Sequence, residues 1–210
     1  MATPIYLVLI QVVFVFFKNN GIIEMDTSVL LINAMLYVFL PLWGIAGFAD
    51  WCCHRATKIE VTSGIQESLM HSLMGIQMGV PILMCLMFEV NVLILLICII
   101  TWISHEIVAH WDVRYAAPKR EISIWEMHAH TYLGSLPLYM LTSILVINWD
   151  EFQSLITLEW AGNMSLIPLE NPHGTSSYLP TYLIFMCVVC VFPYIEENLR
   201  CLNVYFKKGS

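Results

Sequence analysis

The chain has 210 residues, of which 59% are hydrophobic and only 12% are charged, and its mean hydropathy is +0.73. A soluble domain does not need so much apolar surface, so the composition predicts an integral membrane protein. The net charge of −7 offers no basic surface and excludes a nucleic-acid-binding protein.

Six apolar segments follow in chain order, and each is interpreted as a transmembrane helix. They cover residues of about 3–17, 28–49, 65–88, 90–111, 121–148 and 178–199. The chain is therefore predicted to be all-α, an integral membrane helical bundle that forms a single polytopic domain over residues 1–210. The connection of about 149–177 is predicted to be an outer loop with an interfacial helix, because it contains Trp149, Phe152 and Trp160.

Two short patterns within these segments are interpreted as structural. Gly75-x-x-x-Gly79 is typical of close helix packing in membranes. Cys187-x-x-Cys190 has the spacing of a redox pair, but it lies in an apolar run, and we interpret it as a pair of thiols in a helical core.

The distribution of basic residues predicts how the chain is oriented. Lysines and arginines follow the second, fourth and sixth apolar segments, whereas the alternate connections are mainly acidic. The positive-inside rule then places both termini in the cytoplasm, and the compactness of the chain favours a bacterial inner membrane. The basic residues in question are Arg55, Lys58, Arg114, Lys119, Arg120, Arg200, Lys207 and Lys208.

Four carboxylate–histidine pairs with the spacing i, i+4 lie at the ends of the predicted helices. This spacing puts both members of a pair on one helix face. All four pairs fall at the predicted cytoplasmic ends, within a core of about residues 45–135, and their order along the chain predicts a parallel internal repeat of two helical hairpins. The pairs are Asp50 with His54, Glu67 with His71, Glu106 with His110, and Glu126 with His130.

These pairs predict a metal site near the cytoplasmic face. A charged side chain at the centre of a bilayer costs about 2.5–3.5 kcal/mol, and coordination of a metal compensates for that cost. Mixed imidazole and carboxylate ligands suit iron, manganese or zinc rather than calcium or magnesium. Because the ligands exceed what one ion can hold, we expect two ions, with iron preferred and zinc as the alternative. His105 and His128 are further candidate ligands or partners of ligands, and Glu106 and Asp112 are candidate catalytic carboxylates.

Other interpretations of the same residues stay open. A single such pair is usually a surface ion pair or a helix cap. The histidines could instead ligate haem, although haem does not account for the carboxylates. His105 and His110 are one residue too far apart for the HExxH helix of zinc proteases.

The histidine pattern resembles that of the membrane-bound non-haem di-iron desaturases and hydroxylases. The resemblance covers about residues 50–130 and rests on His105-x4-His110, on His128-x-His130 and on their cytoplasmic placement at helix ends. The chain lacks the HxxHH-type motifs of those families, and its carboxylates are closer in character to soluble ferritin-like di-iron proteins. The resemblance implies activation of O₂.

We therefore expect an O₂-activating enzyme that hydroxylates or desaturates a lipid-like substrate. Electrons would come from an external reductase or ferredoxin, because the sequence has no GxGxxG, no P-loop and no cysteine set with iron–sulfur spacing. Arg114, Lys119 and Arg120 are candidate docking residues for that donor. The alternatives are a zinc-dependent membrane lipid hydrolase, with Glu106 or Asp112 as general base, and a metal-ion transporter or sensor.

Overall fold

The structure, a computed structural model, describes residues 26–160 and 164–208. Within these ranges the chain is all-α, with six helices and no strand. We number the helices in chain order: α1 is Thr27–Ala56, α2 is Ile65–Met87, α3 is Val92–Ala116, α4 is Ile124–Ile147, α5 is Trp149–Thr157 and α6 is Tyr178–Lys207.

Five of these helices, α1 to α4 and α6, are long and apolar enough to cross a membrane. This finding confirms the predicted membrane helical bundle. The first predicted span, at residues 3–17, lies outside the described residues. The predicted interfacial helix corresponds to α5, which buries Leu155 against α3 and exposes the neighbouring Ile156.

The helices continue beyond the apolar segments from which they were predicted. α1 reaches Ala56 rather than residue 49, and α3 reaches Ala116 rather than residue 111. Hydropathy marks where a chain enters an apolar environment, whereas helical hydrogen bonds persist into the polar turns that follow. Each of the pairs predicted from sequence therefore lies within a regular helix rather than in a loop.

Both α1 and α6 contain a π-helical turn directly before a proline. In α1 this turn is Met35–Phe39, where the N–H of Leu40 donates to the carbonyl of Met35, five residues back. Proline has no N–H, so the normal four-residue ladder cannot continue through Pro41. The same arrangement recurs in α6, where Cys187–Val191 precedes Pro193.

The packing places α6 between the two sides of the bundle. α1 packs on α4 and α6, and α2 packs on α3 and α6. Helices that follow one another in the predicted hairpins are therefore not the ones that pack most closely. Those hairpins are α1 with α2 and α3 with α4. The close antiparallel pairs are α2 with α3 and α1 with α4, and the intervening α6 contacts both α1 and α2.

The two ends of the bundle differ in character. At one end, the loop 164–169 folds against the turn between α2 and α3, where the N–H of Glu89 donates to the carbonyl of Ile167 at 2.8 Å. At the other end, α1 and α3 finish while α2 and α4 begin. We call this second end the cluster end, because the carboxylates and histidines described below gather there.

Candidate metal centre

A group of buried polar side chains occupies the cluster end of the bundle. Its members come from all five of the described membrane-spanning helices and from the loop between α3 and α4. All but His130 are almost completely buried, and His130 keeps a quarter of its side chain exposed. This polar cluster consists of Asp50, His54, Glu67, His71, Asp112, Arg120, Glu126, His130 and Glu197.

One half of the polar cluster joins α1 and α4. His54 Nε2 lies 3.4 Å from Asp50 Oδ2 and 3.4 Å from Glu126 Oε1. His130 Nε2 lies 3.0 Å from Asp50 Oδ1. The four side chains offer ligand atoms that all lie within 4.8 Å of one another, so they could hold one metal ion.

The other half joins α2 and α3. His71 Nε2 lies 3.4 Å from Asp112 Oδ1 and 3.9 Å from Glu67 Oε1. His54, Glu67 and His71 also have ligand atoms within 4.8 Å of one another, which connects the two halves. Asp112 thus lies beside His71, and its Oδ1 has no hydrogen-bond partner among the described residues.

Glu197 of α6 links the two central histidines. Its Oε2 lies 3.0 Å from His54 Nδ1 and its Oε1 lies 3.0 Å from His71 Nδ1. The two rings stack with centroids 4.3 Å apart and planes within 10°. A carboxylate accepts from N–H, so Glu197 favours a proton on Nδ1 of each ring and leaves each Nε2 directed toward the other carboxylates.

Glu197 was not among the residues predicted from sequence. It has no histidine four residues away, and its partners are 143 and 126 positions distant along the chain. A signal was nevertheless present, because Glu197 lies inside the predicted span 178–199, where an acidic residue is costly.

Arg120 occupies the centre of the polar cluster. Its Nε donates to Glu67 Oε1 at 3.1 Å and its Nη1 donates to Glu126 Oε2 at 2.8 Å, while Nη2 contacts both carboxylates. Burial favours the neutral guanidine, but the hydrogen bonds with Glu126 and Glu67 outweigh that effect and raise the pKa of Arg120. The prediction that Arg120 docks an electron donor therefore has to be corrected, because the side chain is buried.

Several predicted site residues lie apart from the polar cluster. The side chain of Glu106 is 46% exposed, and His110 and His128 are also exposed. On α3, residues 105 and 112 are seven apart and share the buried face, and Glu106 is rotated by about 100° from His105. His105 is buried, but its Nδ1 faces Glu106 Oε1 at 3.5 Å rather than the cluster.

These positions correct the predicted convergence of all four pairs. Three pairs meet, namely Asp50 with His54, Glu67 with His71 and Glu126 with His130, whereas Glu106 with His110 does not. α3 contributes Asp112 instead, so it does not repeat the pattern of α1. On α4, His128 is two residues from His130 and points to the opposite side of the helix.

Comparisons with protein-family models, with curated proteins and with solved structures give no match. The resemblance to membrane di-iron enzymes therefore stays a prediction, and His110 and His128, on which it partly rests, are outside the polar cluster. The structure shows a helical protein of the membrane type with a histidine and carboxylate cluster that could bind metal.

The polar cluster has the chemical character of a metal centre. His54 Nε2 and His71 Nε2 are buried and have no hydrogen-bond partner among the described residues. An imidazole that donates from one nitrogen to a carboxylate and presents the other to a metal is the usual arrangement of a protein ligand. Buried polar atoms are normally satisfied, so these two nitrogens are positions at which a metal ion could be held.

An apolar cavity of about 770 Å³ begins at the polar cluster and extends between α2 and α6. Asp50, His71, Asp112 and His130 line its polar end. The volume lies within the range of about 300–1,000 Å³ that is usual for small-molecule sites. The candidate metal centre therefore adjoins a space that can accept an apolar ligand.

Proposed function

We propose that the protein is a membrane-embedded di-iron oxidoreductase that uses O₂ to hydroxylate or desaturate a lipid-like apolar substrate. The observation that carries this proposal is the shared orientation of His54 and His71. One buried carboxylate, Glu197, holds both rings at 3.0 Å, and both free nitrogens face further carboxylates. Such a preorganised pair of imidazoles is the arrangement expected of neighbouring metal ligands.

The charge of the polar cluster supports a count of two divalent ions. It contains five buried carboxylates and one guanidinium, so with neutral imidazoles its net charge is −4. Uncompensated buried charges cost several kcal/mol each. Two divalent cations would bring the total to zero. The five carboxylates are those of Asp50, Glu67, Asp112, Glu126 and Glu197.

The ligands divide naturally between two ions. Asp50, His54, Glu126 and His130 would hold one ion. His71, Glu67 and Asp112 would hold the other. Ligand sets of imidazole and carboxylate suit first-row transition metals, and iron with such ligands is widely used for O₂ chemistry.

The residues of the protein would orient the metal ligands, neutralise part of their charge and keep water away from the site. Bound iron would supply the redox chemistry that O₂ needs to attack a C–H bond. Glu197 keeps both imidazoles in the tautomer that can bind a metal, and Arg120 offsets the charge of Glu67 and Glu126. The cavity admits an apolar chain to the cluster and keeps bulk water away from it.

The orientation in the membrane is part of the proposal. Arg55, Lys58 and Arg114 lie at the cluster end of the bundle, at the end of α1, in the following loop and at the end of α3. The positive-inside rule therefore favours a cytoplasmic cluster end. An external reductase or ferredoxin would then deliver electrons from the cytoplasm, with exposed Arg114 and Lys119 as the remaining candidates for its docking site.

Elemental analysis of the protein purified from iron-replete cells tests the metal centre. We expect about two iron atoms per chain, and the H71A variant should lose at least one of them. The matched control is H110A, an exposed histidine of α3 outside the polar cluster, which should keep both. O₂ uptake should require reductant together with an apolar substrate. Stoichiometric zinc without iron would refute the oxidoreductase.

A zinc-dependent lipid hydrolase is the second candidate, and one observation favours keeping it. Glu106 lines the cavity but is not engaged in the polar cluster, so it is free to act as a general base beside His105. Hydrolysis needs neither O₂ nor electrons. Turnover of a lipid ester or amide under anaerobic conditions, by protein that contains zinc, would establish this activity instead.

A further inference from the structure

The apolar cavity beside the polar cluster has room for a hydrocarbon chain, and we call it the channel. One wall is a face of α2 that runs from Ser72 to Leu83, and the facing wall is formed by α6 from Leu183 to Asn198. At 1.5 Å per residue, the wall on α2 is about 16 Å long. The channel therefore leads from the cluster end far into the apolar part of the bundle.

Two glycines of α2 make room for this channel. A Cβ added at Gly75 or at Gly79 would meet nothing within 4 Å, and both residues line the cavity. Within this chain the described residues show no close helix packing at this pair, and the predicted packing role stays a prediction for contacts between chains. The glycines leave open space where larger side chains would fill the channel.

The charged groups that line the cavity are acidic. Among the described lining residues, the carboxylates of Asp50, Asp112 and Glu106 are accompanied by histidines but by no lysine or arginine. Arg120, the nearest basic group of the cluster, is engaged with Glu67 and Glu126 and does not line the cavity. Asp50 and Asp112 would be neutralised as metal ligands, but Glu106 lies outside the ligand set, so an anionic headgroup beside Glu106 would meet like charge without a basic partner.

A polar group near the channel also lacks a partner. His105 is 95% buried and lines the cavity, and its Nδ1 has no hydrogen bond among the described residues. It lies 3.5 Å from Glu106 Oε1, so the two side chains together offer a nitrogen and a carboxylate to the same ligand group. A hydroxyl or an ammonium group can donate a hydrogen bond to the Glu106 carboxylate, whereas a carboxylate or phosphate cannot.

We propose that the cavity binds a single hydrocarbon chain whose polar end is neutral or cationic, and that it discriminates against chains that end in a carboxylate or phosphate. The length of the channel and the open space at its two glycines favour a single long hydrocarbon chain. Glu106 and His105 select the polar end. As a statement about the substrate of the oxidoreductase, this inference rests on the proposed function, but binding itself requires neither O₂ nor an electron donor.

Binding of radiolabelled dodecylamine to the purified, metal-loaded protein in nanodiscs tests this inference. Dodecanol should compete with the label, and dodecanoate of the same chain length should compete at least tenfold more weakly, which corresponds to about 1.4 kcal/mol. In the E106Q variant the affinity for dodecanoate should come closer to the affinity for dodecylamine. Equal or stronger competition by dodecanoate in the unaltered protein would overturn the proposed selectivity.

The location of the site is tested by filling the channel. G79F places an aromatic ring in the open space and should abolish dodecylamine binding, whereas L73F, on an exposed face of α2 outside the cavity lining, should leave it unchanged. The metal content of each sample shows whether the variant is intact. Retained binding in G79F would refute the channel.

The same samples separate this inference from the proposed function. Selective binding by protein that holds no iron would leave the ligand class standing and would refute the oxidoreductase. Two bound irons without selective binding would leave the metal centre standing and would refute the proposed ligand class.

Discussion

Replacement of Glu197 by glutamine tests the central feature of the candidate metal centre. The carboxylate accepts one hydrogen bond on each oxygen, from His54 on Oε2 and from His71 on Oε1. Glutamine has nearly the same size, but one of the two oxygens becomes an NH₂ group that can only donate. One imidazole must then accept at Nδ1 and carry its proton on Nε2, where it can no longer bind a metal.

The expected magnitude follows from this loss of one correctly oriented ligand. Removing the hydrogen-bond partner of a metal-bound histidine typically weakens metal binding by about 10–100-fold. That corresponds to about 1.4–2.8 kcal/mol of binding free energy. Because the amide can still accept a hydrogen bond from one of the two rings, we expect E197Q to weaken the binding of one ion strongly and of the other little. E197A should weaken the binding of both ions.

Competition with a chelator, followed by metal analysis of the protein, measures both dissociation constants. The neighbouring residue offers a matched control. Glu196 accepts hydrogen bonds from Arg55 at 2.9 Å and from Arg200 at 3.2 Å, outside the polar cluster. E196Q therefore removes the same charge from the adjacent position of α6 and should leave metal affinity unchanged. Two unchanged dissociation constants in E197Q would refute the assigned role of Glu197.

Three further predictions concern the surroundings of the site. R120Q should lower the free energy of unfolding of the metal-free protein by about 3–5 kcal/mol in denaturant, because it leaves two buried carboxylates without their guanidinium partner. The exposed control R114Q should change that free energy by less than about 0.5 kcal/mol. H128A should retain the metal content of the unaltered protein, and loss of an ion would contradict its exposed position. G64A should lower stability by about 1–3 kcal/mol, because Gly64 has φ +77° and ψ −158°, a conformation essentially limited to glycine. The comparison is G134A, in mid-helix with open space at its Cβ, which should gain up to about 1 kcal/mol.

The bundle could be predicted from sequence because hydropathy alone defines membrane-spanning segments. The predicted segments 65–88 and 121–148 differ from α2 and α4 by at most three residues at either end. The polar extensions of α1, α3 and α6 could not be found in this way, because they lie beyond the apolar segments and depend on contacts with other helices.

The site could be predicted where the face that carries a pair is also the face that its helix buries. Asp50 with His54 meets this condition, since the spacing i, i+4 fixes their common face and α1 turns that face inward. The same spacing in Glu106 and His110 fixes only that these two share a face. Polar residues in the second half of α3 are spread around the helix, so its sequence does not indicate which face is inward, and packing selects the one with Asp112.

No pairing pattern in the sequence predicts the partners of Arg120 and Glu197, yet these two residues explain how the polar cluster exists in an apolar bundle. Arg120 neutralises part of the charge of Glu67 and Glu126, and Glu197 satisfies the Nδ1 atoms of both central rings. Each carboxylate has about four lone-pair positions, so Glu67 and Glu126 can bind the guanidinium and a metal ion at the same time. Arg120 therefore need not leave when ions enter. If it stays, two divalent cations complete the neutralisation, whereas its departure would leave an excess of one negative charge in a buried site. The metal count and the position of Arg120 are thus coupled, and R120Q should shift the preferred occupant toward ions of higher charge.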